Sequence, residues 1–129
     1  MEIKTHASIN RSLCGEPMHL EPGHALVRLV AASDMAADSR GLVHGGFVFG
    51  LADYAAMLAV NHPNVVLGQS EAKFLKPVRV GDILEARAEV TVVESGRKRR
   101  VEVKVSRNDE VVMTGAFACY VLEHHVLDA

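Results

Sequence analysis

Apolar and polar residues follow two periods along this chain. Over residues 83–93, Leu84, Ala86, Ala88, Val90 and Val92 alternate with Glu85, Arg87, Glu89 and Thr91. A period of two marks a strand with one buried face. Residues 99–107 repeat it, with Val101, Val103 and Val105 inward and Arg100, Glu102 and Lys104 outward. Glu94-Ser95-Gly96 and Asn108-Asp109 are turn signals that join neighbouring strands as hairpins. Residues 111–122 are apolar on both faces, which predicts a central strand or one covered on both sides. Residues 65–75, closed by Pro77, form a further strand. Residues 24–31 form another, with Ala25, Val27, Leu29 and Ala31 on one face. A short strand over 18–21 precedes the Pro22-Gly23 turn, and a weak pattern before it predicts a short helix around 4–11.

Between these strands the period changes. Residues 47–60 are apolar on every face of a helix except at Asp53. A helix that is hydrophobic all round is a buried one, and Pro63 ends it. The order is therefore two strands, one long buried helix, then four antiparallel strands. This predicts an α+β fold, a curved antiparallel sheet wrapped around one central helix. The sheet covers part of the helix, and a second copy of the chain is expected to cover the rest.

Composition adds limits. The chain has 129 residues, the length of one domain, so a single domain over 1–129 is expected. A formal net charge of −2 argues against general nucleic-acid binding. Cys14 and Cys119 lack metal or redox spacing and read as reduced thiols of a cytoplasmic protein. The first residues show no leader pattern. The longest apolar run is broken by His44, glycines and Asp53, so no membrane span is expected. None of the seven histidines has metal-ligand spacing, and no phosphate loop or nucleophile elbow is present.

The candidate chemistry lies in the helix. An isolated buried carboxylate is costly, so Asp53 must be paired, protonated or in use. His44-Gly45-Gly46 opens the helix, where the first N–H groups lack intrahelical acceptors and two glycines allow close approach. One element thus offers N–H donors at its start and a carboxylate two turns on. The competing structural reading makes Asp53 a capping or arginine-paired acid, and the glycines plain close packing.

His44-Gly45-Gly46, six residues, Asp53 and then the small-residue run Tyr54-Ala-Ala-Met-Leu-Ala59 resemble the hotdog-fold acyl-CoA thioesterases. The similarity is to the branch typified by phenylacetyl-CoA thioesterase, the PaaI-like branch. It continues through Phe74-Leu-Lys-Pro-Val-Arg-Val-Gly-Asp82 and spans roughly residues 18–122. The resemblance implies an acyl-CoA hydrolase with no cofactor beyond the coenzyme A of its substrate. The Gly45 N–H would polarise the thioester carbonyl. Asp53 would serve as general base or as nucleophile; the sequence leaves both open.

Gly45 and Asp53 are eight residues apart, about 12 Å along one helix. One carbonyl cannot reach both, so the chemistry calls for an obligate homodimer, or a tetramer, with Asp53 acting beside the partner's Gly45. His44, Gly46, Ser70, Phe47 and Tyr54 are further substrate-binding candidates, with Val48 and Leu51 in the lining. Asp38 stands where the resembling family often carries an amide. An ionised Asp cannot donate a hydrogen bond, so Asp38 positions water, is protonated, or yields its place to Asp34 or Ser39. Arg97, Lys98, Arg99 and Arg100 form the densest basic run, and Lys73, Lys76 and Arg79 the second. Either would hold the nucleotide phosphates. The alternative reading is a non-catalytic acyl-CoA-sensing module; Asp53 favours the enzyme. Aromatic or short to medium acyl groups are the expected substrates.

Overall fold

The computed structural model describes residues 1–128. After α1 (Arg11–Cys14) come β1 (Glu16–Glu21) and β2 (His24–Val30), then α2 (Gly45–Val60). Four strands follow: β3 (Val65–Phe74), β4 (Ile83–Glu94), β5 (Lys98–Arg107) and β6 (Glu110–Val121). They form one antiparallel sheet in the order β1-β2-β4-β5-β6-β3. This is the α+β hotdog arrangement, with α2 lying across the concave face of the sheet.

The alternation sorts the sheet into two faces. Val27, Leu29, Leu84, Ala86, Val101, Val103, Val105 and Phe117 are buried against α2. The charged partners of that pattern stay on the convex side. Ser95 and Gly96 take positive φ (51° and 71°) in the β4–β5 hairpin, and Asn108 (φ 51°) does so in the β5–β6 hairpin. β6 lies inside the sheet between β5 and β3, as its two apolar faces require. β1 and β3 are the edge strands.

Four details depart from the sequence reading. First, the helix begins at Gly45, as its opening glycines imply, but its end is set before Pro63. Asn61 adopts the left-handed conformation (φ 51°, ψ 54°), and its N–H caps Met57 O at 2.8 Å. Second, the register of β4 shifts between Val90 and Val92, so Val92 pairs with Arg100 and is 40% exposed instead of inward. Third, no helix spans 4–11; α1 is one turn at Arg11–Cys14, capped by the Asn10 side chain. His6 at φ 55° precedes it, and its ring nitrogen lies 2.7 Å from the Thr5 hydroxyl, a local bond that competes with helix.

The fourth concerns what covers α2. The N-terminal segment itself lies over part of the face that the sheet leaves open. Ile3, Ile9 and Leu13 pack on the core and Thr5 is buried. Asn61 pins this strap: its Oδ1 accepts from Lys4 N at 2.8 Å and its Nδ2 donates to Glu2 O at 2.8 Å. Tyr54 and Met57 are buried, and the His6 ring lies 6.2 Å from that of Tyr54. A second copy is thus not needed along the whole helix. The part still open carries Gly46, Gly50 and Asp53, one turn apart on a single face. A Cβ built on Gly50 would meet nothing within 4 Å.

Candidate functional site

α2 starts where Val43 N–H bonds Val78 O (2.8 Å) and His44 N–H bonds Met35 O (3.0 Å), so the chain enters the helix held from both sides. His44 is the N-cap in extended conformation, without a side-chain cap bond. Its ring leans over the next turn: a Cβ on Gly46 would lie 3.0 Å from His44 Cδ2. Among the described residues no protein acceptor meets the N–H of Gly45 or Gly46. These are donors of the kind that anions and carbonyl oxygens take at a helix start. Phe74, 55% exposed at the end of β3, lies against Gly45, with its Cε1 3.5 Å from the Cβ position. The sequence reading carried Phe74 only as the start of the Phe74–Asp82 motif and gave it no place beside Gly45.

Asp53 sits two turns further on. Its Oδ1 is buried and has no hydrogen-bond partner. Desolvation alone pushes its carboxyl up to about 6. Among the described residues of the protomer no arginine pairs with it. Its charge reaches two thiols instead. Burial first, and Asp53 second, raise the pKa of Cys14 and push Cys119 up to about 12. Both thiols are free and stay protonated at neutral pH, so neither is a thiolate nucleophile beside the acid. Nothing in their sequence spacing places these cysteines near Asp53; packing of α1 and β6 against α2 does.

The remaining candidates divide. Phe47 is half-buried, its ring edge-on to His44 at 6.3 Å, and stays with the helix start. Val48 and Leu51 are sealed in the core at 3% and 0% exposure. Tyr54 is sealed beneath the strap; its hydroxyl has no partner, and burial raises its pKa against the opposing charge of nearby Arg11. Ser70 lies on edge strand β3 opposite Phe117, exposed between Gln69 and Glu71. Asp38 is exposed, and its Oδ1 accepts from Arg40 N (2.9 Å) and Leu42 N (3.2 Å), so it shapes the loop leading to Gly45. Asp34 and Ser39 are exposed in the same segment.

The basic run of the β4–β5 hairpin is mostly committed. Arg97 pairs with Glu123 (2.7 Å), Lys98 with Glu94 (3.6 Å) and Arg100 with Glu102 (3.3 Å). Arg99 donates to the carbonyls of Gly96 (2.6 Å) and Lys98 (3.4 Å). In the second cluster, Lys73, Lys76 and Arg79 are exposed and make no ion pair among the described residues. Among the described residues no three His, Cys, Asp or Glu side chains converge as a metal site. No helix there is long and apolar enough to cross a membrane.

Along one helix, then, an open pair of N–H donors and an unpartnered carboxylate flank a glycine surface. This can polarise a carbonyl at one end and activate water at the other.

A family model described as Thioesterase superfamily matches residues 40–114, which carry both groups. An uncharacterized protein of Pyrococcus horikoshii has the same fold, with a TM-score of 0.96 at 55% identity, covering 99% of this chain and 98% of that one. A mutant of the phenylacetic acid degradation protein PaaI from Thermus thermophilus aligns with a TM-score of 0.79 at 29% identity, covering 87% and 96%. Among curated relatives, a methylthioribose-1-phosphate isomerase of Aquifex aeolicus is 49% identical over 91% of this chain, which spans 25% of that protein. Transcription factor FapR of Caldanaerobacter subterraneus is 29% identical over 96% of this chain, which spans 62% of it.

Proposed function

The chain belongs to the thioesterase superfamily and resembles its PaaI-like branch, and from that premise we propose that it hydrolyses an acyl-CoA thioester to the free acid and coenzyme A. The observation that carries this reading is the Asp53 carboxylate, buried at Oδ1, unpartnered, and with a pKa near 6. A general base works best with a pKa close to the operating pH. In this reading the thioester oxygen accepts from the Gly45 N–H, with Gly46 and the His44 ring beside it. Asp53 of a second copy takes a proton from the attacking water or attacks the carbonyl itself. The copies form a homodimer, or a tetramer built from dimers. A thiolate leaves readily, so no strong acid is required. Removing one oxyanion donor typically costs about 10²–10³ in rate. Phe47 and the exposed Phe74 flank the acyl group, which suits aromatic or short to medium chains. Asp38 orients the loop through its two backbone bonds.

The test is a panel of acyl-CoA esters assayed by free-thiol release, with Asp53→Ala beside the unchanged protein. Hydrolysis that falls about 10²–10⁴-fold in the variant supports the reading. A second reading, an acyl-CoA sensor without turnover, is favoured by the similarity to a transcription factor along most of the chain. Equal binding of the esters by both proteins with no hydrolysis by either would establish it.

A further inference from the structure

The convex face of the sheet carries its charges in rows. The strand register sets Glu21 beside His24, His24 beside Glu89, Glu89 beside Glu102, Glu102 beside Ala116 and Ala116 beside Glu71. This is one line across all six strands, holding four carboxylates and no Lys or Arg. Two residues along each strand runs a second line: His19, Leu26, Arg87, Lys104, Thr114 and Lys73. It holds Arg87, Lys104 and Lys73 and no acid. Every one of these Glu, Lys and Arg side chains belongs to an exposed residue.

Within one chain this pattern is unfavourable. Glu89 pairs across the ladder with Glu102 and Arg87 with Lys104, and like charges directly opposite destabilise a sheet. Relief is sparse. Glu21 lies 3.7 Å from His19, and Glu102 lies 3.3 Å from Arg100. Arg87, Glu89, Lys104, Glu71 and Lys73 make no ion pair among the described residues. Nor do the side chains fill the face. A trough of about 400 Å³ lies over β1, β2, β4 and β5, and one of about 360 Å³ lies over β5, β6 and β3. A facing surface with its charges in the opposite order would complement both rows.

We propose that the occupant is the same face of a second copy, related by a two-fold axis that runs along the rows and midway between them. That operation exchanges the rows. Glu89 then faces the partner's Arg87, Glu102 faces the partner's Lys104, and each pair is made twice, as a two-fold contact requires. The strands of the two sheets stay nearly aligned, an ordinary packing of twisted sheets. The face is convex, so the contact centres on β4 and β5, the middle strands of the order. The opposed like charges lie there, and each gains an opposite neighbour. Rows about 24 Å long on a face about 17 Å tall cover at most roughly 400 Å² a side. That is about half of what a standard interface buries per partner. A dimer joined along α2 presents two such faces and doubles the area. The contact therefore pairs dimers, and it is separate from the one that would complete the acyl-CoA site.

The test is analytical ultracentrifugation of the full chain at about 0.05 M and about 1 M salt. Three variants accompany the unchanged protein. Glu89→Lys/Glu102→Lys makes the centre of both rows basic, and Arg87→Glu/Lys104→Glu makes it acidic. The fourfold variant carries all four substitutions, so its rows are exchanged and its face is again self-complementary. At low salt the unchanged protein and the fourfold variant should form a particle of twice the mass that either double variant forms. Self-association of the double variants should weaken by about 100-fold or more, because like charges then meet. Mixing the two double variants in equal amounts should restore the larger particle, containing both chains. High salt should halve the mass of the unchanged protein. Circular dichroism shows that each variant is folded, and the fourfold variant controls for the substitutions themselves. Equal masses for all four proteins at low salt, or a mixture that stays small, overturns the inference and leaves the thioesterase reading standing. The expected masses together with no acyl-CoA hydrolysis by any of the proteins keep the contact and sink only the enzyme.

Discussion

Asp53 sits in an electrostatically unfavourable place. Its folded pKa near 6 lies above the usual carboxylate value of 3.8, because burial disfavours the charge and nothing repays it. The fold therefore favours the protonated acid. Its contribution relative to the unfolded chain is intact below pH 3.8, declines as the unfolded carboxylate ionises, and is lost as pH rises through 6. Asp53→Asn should accordingly raise thermal stability at pH 7.5, by on the order of 2 kcal/mol, and change it little at pH 3.5. Differential scanning fluorimetry across pH reads this directly. The same ionisation should give the hydrolysis rate an acid limb with a midpoint near pH 6, absent from the residual rate of Asp53→Asn. A gain in activity together with stability in that variant would contradict the catalytic role. Gly15 is a second position where one residue decides. At φ 116°, a Cβ there would lie 2.6 Å from Val27 Cγ1 and 2.9 Å from Leu51 Cδ1. Gly15→Ala should cost about 2–4 kcal/mol in chemical unfolding, from backbone strain and overpacking together.

Among the elements, the strands were the most legible. Their period of two, read over residues 83–93 and 99–107, recurs as the buried face of β4 and β5. The helix was legible because apolar residues on every side leave burial as the only outcome, and its one acid is what singled out Asp53 as the candidate. Less legible was anything set by packing across the chain. The Val90/Val92 bulge leaves no mark in an unbroken alternation. Residues 1–10 carry no period because they lie along α2 as an irregular strap, tied by one side chain, Asn61, rather than by a ladder. The nearness of Cys14 and Cys119 to Asp53 was hidden for the same reason. The strap yields its own prediction. Asn61→Ala loses two hydrogen bonds to the strap backbone and places a Cβ residue less suited to positive φ at the helix end. It should destabilise the protein by about 1–3 kcal/mol. Hydrogen exchange should rise at Lys4 and at the C-terminal turn of α2, with the β4–β5 hairpin unchanged. Uniform acceleration everywhere would mean the strap is not a separate unit.

For the whole molecule, the decisive fact is a length. Gly45 and Asp53 lie on one unbroken helix, so the protomer holds them about 12 Å apart, and a thioester carbonyl cannot touch both. The edge of β3, with backbone groups unpaired on one side, and the open face at Gly46, Gly50 and Asp53 offer a second copy somewhere to dock. Mixing two broken chains separates the possibilities. Gly45→Pro deletes only the N–H: it sits at the first helical position, where proline is tolerated, after an extended His44. Asp53→Ala deletes only the carboxylate. Each homodimer has two dead sites. A heterodimer has one site with the intact glycine of one chain facing the intact acid of the other, and one site lacking both. Equal mixing after co-refolding should thus return about a quarter of the unchanged protein's activity. If both groups came from the same chain, every site in the mixture would lack one of them, and no activity would return. Native mass spectrometry of tagged chains shows whether heterodimers have formed, so a silent mixture would speak against the shared site and not against the mixing.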